Sequence, residues 1–188
     1  MKIVVVEPHC DDAFLSLGGH LETLWKDLDR TIITVFGDAK RDQEARNYAE
    51  AIGAKSITLG LTESRMLSEL RESLPIPELQ ETIRGLRLLP RDVLAFPLGL
   101  QHPDHYRVRD AATSRAVFYT DTPYWSKQKL GEEVRDRLKG TVIESVLFPH
   151  ARKWRHIPIF QSQAKFFHFN DGLKTSRIPE IVIQGGRL

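Results

Sequence analysis

Two short stretches hold most of the residues able to do chemistry. "PHCDD", residues 8 to 12, sets His9, Cys10, Asp11 and Asp12 side by side, directly after Glu7 and Pro8. "LGLQHPDH", residues 98 to 105, ends in His102, Asp104 and His105. Two imidazoles and a carboxylate are the donors of a metal site with open coordination positions. The other acids and the third imidazole would then be available as base and acid. Carboxylates crowded at one point repel, and burial adds to the cost. A divalent cation would neutralise them and invert their pKa logic. Taken alone, each stretch also reads as a turn, since Pro103-Asp104 is a good turn core.

What separates these readings is where the stretches fall. Each follows an apolar run rich in β-branched residues: Lys2–Glu7 before the first and Val93–Pro97 before the second. Similar runs recur at Thr31–Phe36, Ser56–Leu59 and Val142–Phe148, and they suit parallel strands covered on both faces. Ile178–Ile183 reads as a last strand. Helical spacing of apolar residues predicts helices over Ala13–Leu28, Asp42–Ile52 and Pro77–Leu88. Tyr106–Val117, Glu132–Leu138 and Lys153–Phe167 are further helical expectations, and Phe118–Trp125 reads as a turn. Strand alternating with helix predicts an α/β chain with a mostly parallel sheet and helices on both faces. The common doubly wound order 3-2-1-4 makes strands one and four neighbours, with their carboxyl ends flanking the ligand crevice. PHCDD and QHPDH would then meet.

Composition sets the frame. The chain has 188 residues, 41% hydrophobic and 28% charged, which predicts one soluble domain spanning 1–188. A net charge of +2 without a basic stripe argues against nucleic acid as a partner. No run reaches the roughly 20 apolar residues of a membrane span. One cysteine, Cys10, allows no internal disulfide and suits a reducing compartment, so a cytoplasmic protein is expected. No G-x-G-x-x-G follows a strand, and no Walker sequence is present.

"PHCDD" followed by "LSLGG", with the later "QHPDH", resembles the PIG-L/LmbE-like family of metal-dependent N-deacetylases. The matching positions are His9, Asp11, Asp12, Gly18, Gly19, His102, Pro103, Asp104 and His105. "RDQEARNYAEAIGA" is similar to the family's R-x-x-E helix, and "KWRHIPIFQSQ" to its late lysine, aromatic and Ser-Gln. Cys10 departs from the usual proline, and Ala13 from the usual glutamate. The resemblance implies a Rossmann-like fold and removal of an N-acetyl group from an amino sugar or its conjugate. It implies His9, Asp12 and His105 as ligands to Zn²⁺ or Fe²⁺, and Asp11 as general base. A protonated His102, oriented by Asp104, would stabilise the oxyanion. Arg41, from R-x-x-E, would face the substrate, or else pair with Glu44 on its own helix.

Other residues stay open at this level. Cys10 is a ligand, a nucleophile or a packed side chain. Glu7 either supports a ligand histidine or is a strand-end charge. Tyr119, Tyr124 and Trp125 either stack on a sugar or belong to the core. His20, His150, His156 and His168 have no partners at ligand spacing.

Overall fold

The computed structural model describes residues 1–63, 75–100, 102–122, 142–148, 151–164 and 179–184. A seven-stranded sheet runs through them. Its strands are β1 (Lys2–Glu7), β2 (Asp29–Phe36), β3 (Lys55–Leu61), β4 (Val93–Pro97), β5 (Val117–Tyr119), β6 (Ile143–Leu147) and β7 (Glu180–Gln184). Their order in the sheet is β3-β2-β1-β4-β5-β7-β6. The first five are parallel, so β1 lies between β2 and β4 as the doubly wound order predicts. β7 runs antiparallel to β5, and β6 antiparallel to β7.

The run IVVV is apolar throughout because β1 is covered on both faces. Ile3 and Val5 join one core layer with Phe14, Leu17, Leu21, Tyr48 and Phe160. Val4 and Val6 join the opposite layer with Phe36, Leu79, Phe96 and Val108. The first layer is closed by α1 (Asp12–Glu22), α2 (Ala39–Ala51) and a 3₁₀ segment (Ala151–Ile159). The second is closed by α3 (Pro77–Gly85) and α4 (Pro103–Asp110). Helices therefore cover both faces of an α/β sheet. Among the described residues no helix is long and apolar enough to cross a membrane.

Several expected boundaries move for local reasons. α1 stops at Glu22 rather than Leu28: at Thr23 the backbone leaves helical geometry (φ −125°, ψ −77°), its N–H turns to the His20 carbonyl, and its hydroxyl donates to the Gly19 carbonyl at 2.6 Å. Trp25 and Leu28 still pack on the core from the turn, while Leu24 is exposed. The helix expected over Tyr106–Val117 starts at Pro103 and ends at Asp110, and Val117 opens β5. The run Val142–Phe148 holds an antiparallel strand with one neighbour, β7, among the described residues; it is not a buried parallel strand. Val142, Ile143, Val146 and Phe148 are about half exposed or more. In the described part of Lys153–Phe167 the backbone is 3₁₀ from Lys153 to Gln163, interrupted at Phe160, and it turns α-helical at Ala164. Glu132–Leu138 lies outside the described residues.

Candidate metal centre

The parallel order delivers the two stretches to one place. β1 ends at Glu7 and α1 begins at Asp12, so PHCDD is the tight link between a central strand and its helix. β4 ends at Pro97, and the chain turns through Gly99 at φ +75° before entering α4 at Pro103. A side chain at Gly99 would be strained and would press on Arg109 and the His105 carbonyl. His102 caps α4: its Nδ1 accepts the Asp104 backbone N–H at 3.2 Å.

α1 starts without a side-chain cap from Asp11. Its first N–H groups are served otherwise, as the Glu7 carboxylate accepts the Ala13 N–H at 2.8 Å and the Thr34 hydroxyl at 2.6 Å. Asp12 Oδ2 accepts the His9 N–H at 2.8 Å. Glu7 is thus neither a support for a histidine nor an exposed strand-end charge. It is fully buried, and that burial raises its carboxyl to about 8 against the two hydrogen bonds.

His9, His102 and His105 converge, each offering a ring nitrogen within 4.8 Å of the others. Asp12 Oδ2 lies 3.3 Å from His9 Nδ1 and 3.3 Å from His105 Nε2. Donor atoms 2.0–2.1 Å from a tetrahedral Zn²⁺ are about 3.3–3.4 Å apart, so these two spacings fit the edges of such a shell. Each of these histidines has a carboxylate on its far nitrogen. Asp104 Oδ2 is 3.1 Å from His9 Nε2, and Asp121 Oδ1 is 3.3 Å from His105 Nδ1. Ligand histidines characteristically carry such a carboxylate. The residues present therefore fit a divalent cation.

Burial and neighbouring charge shift these groups in opposite directions. Burial would depress His105, but Asp12 and Asp121 on either side outweigh it and lift the imidazole to about 10. Asp12 is held well below the usual carboxylate range: burial raises it, and the His105 and His9 imidazoles overcome that. Asp11 is raised to about 6 by burial and then by the Asp12 charge. His102 is pushed down to about 4 by burial and by the His9 and His105 rings, with Asp104 too weak to compensate. The expected pairing changes accordingly. Asp104 is 3.8 Å from His102 Nδ1 but 3.1 Å from His9, so it orients His9 more closely. His102 is instead oriented by the amino end of its own helix. With Nδ1 accepting an N–H, a neutral His102 carries its proton on Nε2.

The other candidates fall into place around this centre. Arg41 ion-pairs with Glu63, not Glu44, where α2 starts at the carboxyl end of β2, and its charge reaches Asp11. Glu44 receives the Ser162 N–H at 2.7 Å, joining the R-x-x-E helix to the late Ser-Gln. Cys10 is packed in the core with Sγ 3.7 Å from Glu44, and burial pushes its thiol far up, which disarms it as a nucleophile. Tyr119 is a core residue whose hydroxyl donates to the Val6 carbonyl at 2.8 Å. His20 and His156 are held by Glu180 and Glu22. Gln101, Tyr124, Trp125, His150 and His168 lie outside the described residues. Asp121 is the group the sequence reading missed. It lies two residues past β5, at the carboxyl end of the strand next to β4, and a strand assigned to VFY would have exposed it.

No family model matches the chain, and no curated protein sequence matches it. Solved structures do. The conserved protein TT1542 from Thermus thermophilus superposes with a TM-score of 0.61 at 18% identity, over 99% of this chain and 95% of that one. The N,N'-diacetylchitobiose deacetylase from Pyrococcus horikoshii, in complex with an inhibitor, superposes with a TM-score of 0.51 at 18% identity. That match covers 98% of this chain and 84% of the deacetylase chain. At this identity the likeness establishes a shared α/β fold across nearly the whole length.

Proposed function

We propose that the protein is a metal-dependent hydrolase that removes an N-acetyl group from an amino sugar or an amino-sugar conjugate. The observation that carries this reading is the pair of 3.3 Å spacings from Asp12 to His9 and His105, with a carboxylate behind each histidine. In this reading His9, Asp12 and His105 hold Zn²⁺, or Fe²⁺, and His102 stands beside them. When bound, such a cation supplies Lewis acidity and brings the pKa of a coordinated water from 15.7 to about 7.

The chain supplies the rest. Asp11 takes the proton from the attacking water and passes it to the nitrogen as the C–N bond breaks, so that acetate and the free amine leave. The Asp11 carboxyl, raised to about 6, lies near the neutral range that suits a general base. The His102 Nε2–H hydrogen-bonds the carbonyl oxygen as charge develops there and keeps its proton. A preorganised donor of this kind is worth about 2.7–4 kcal/mol. It acts as a neutral donor, so no positive imidazolium is needed. Asp104 keeps His9 in its ligating orientation, and Arg41, steadied by Glu63, faces the substrate. The substrate class rests on the motifs and on a fold-mate whose named activity is deacetylation of N,N'-diacetylchitobiose.

The test is amine release from a panel of N-acetylated amino sugars, with and without chelator. Product on at least one sugar, lost on metal stripping and restored by Zn²⁺, is expected. Product from fully stripped protein would remove the metal from the reaction. Metal uptake without product on any amide or ester would make the protein a binding module.

A further inference from the structure

We infer that Asp121 is a positioning residue of the metal centre: it fixes the His105 tautomer and so sets the affinity for the cation. The inference rests on the metal-dependent reading above. Asp121 comes from none of the motif stretches. It belongs to the short segment after β5, and it is 1% exposed with Oδ1 3.3 Å from His105 Nδ1.

The segment is fastened on both sides of this aspartate. The Thr120 N–H donates to the Ile181 carbonyl of β7 at 3.1 Å. The Thr122 N–H donates to the Ser16 hydroxyl of α1 at 3.0 Å. Just before it, the Tyr119 hydroxyl is tied to β1 at Val6. A carboxylate held between three elements is a rigid acceptor. Facing Nδ1, it holds a proton on that nitrogen and leaves Nε2, 3.3 Å from Asp12 Oδ2, as the position whose proton the cation would replace. His105 is itself completely buried. The histidine is thus sandwiched, with one carboxylate sharing its ligand position and another fixing its back.

The test compares Zn²⁺ affinity of the wild type and Asp121→Asn by competition with a chromophoric chelator at one pH. Ring ¹⁵N shifts of His105 in the Zn²⁺-loaded wild type are read alongside. Asp121→Asn should bind Zn²⁺ about 10–100-fold more weakly, the usual loss for such a supporting carboxylate. The wild-type ring should carry its proton on Nδ1. Equal affinities in the two proteins, or a His105 proton on Nε2, would overturn the inference. Should Asp121→Asn fail to fold, the Nδ1–H proton shift of His105 in the Zn²⁺-loaded wild type decides: a strong downfield displacement, as a hydrogen bond to a carboxylate gives, is expected, and an ordinary shift would overturn the inference. A wild type that takes up no Zn²⁺ would remove the metal reading and this inference with it, a result distinct from equal affinities.

Discussion

Two of the buried groups of histidine and carboxylate among the described residues differ in arrangement rather than in burial. One is the candidate metal centre. The other joins α1 to β7 and the 3₁₀ segment around Glu180. There, two carboxylate oxygens accept the N–H groups of Gly19 and His20, the His20 ring and the Lys153 ammonium, at 2.8–3.0 Å. The far nitrogen of His20 meets the Ser145 hydroxyl at 2.8 Å, and Lys153 also donates to the Leu15 carbonyl. Burial pushes Glu180 up, but these donors hold it below the usual range. The cluster is closed, because each charge has its opposite. At the candidate metal centre Arg107 lies 3.7 Å from Asp104 and the Arg41 charge reaches Asp11, so the contrast is one of arrangement: three imidazoles turn ring nitrogens toward one another within 4.8 Å. Like groups turned inward are unfavourable unless a cation joins them. A buried histidine thus points to a site when other ring nitrogens face it, rather than donors and acceptors that satisfy it.

The contrast can be broken from either side. The largest effect is expected at Asp11. Asp11→Asn should lower amine release by about 10²–10⁴-fold, the usual contribution of a general base, with the metal still bound. Kinetics beside elemental analysis check this, and a variant of normal turnover would take Asp11 out of its role. In the closed cluster the expected loss is of stability. Lys153→Met strands the Glu180 charge and should cost about 3–5 kcal/mol in denaturant unfolding. Zn²⁺ affinity of the folded variant should be unchanged, and a loss of affinity would merge the two regions.

A smaller effect comes from pH. Metal-free His105 titrates at about 10, above its ordinary 6.5, so a proton must leave as the cation enters. Affinity should therefore fall about tenfold for each pH unit lowered between 8 and 6, read by the same competition titration. The sign for stability follows from the same shift. In metal-free protein the His105 contribution is fully present below pH 6.5 and is lost as pH rises through about 10. A pH-independent affinity would mean that His105 is not displaced from its proton.

Much of the centre was legible because its residues are adjacent in sequence and fall at strand ends. IVVV and VLAFP are unbroken apolar runs, and parallel burial requires that pattern. From those two strands the crevice and six of its polar residues follow. Asp121 was hidden because β5 is only three residues long, and "TDTP" has the composition of a turn. The pairing of Asp104 with His9 was equally hidden, since orientation across a crevice leaves no trace in spacing. Edge strand β6 carries the same β-branched residues as a buried strand, so VIESVLF gave no sign of its exposure. α1 ended where the Thr23 backbone left helical geometry, while Leu24, Trp25 and Leu28 kept helical spacing beyond it.

The central claim is that the ends of β1 and β4 form a cation site, and metal titration tests it most directly. Chelator-stripped protein should take up one equivalent of Zn²⁺, and His105→Ala should lose that uptake while its metal-free form remains folded. Wild-type protein that takes up no Zn²⁺, or a His105→Ala variant that binds as tightly as wild type, would contradict it.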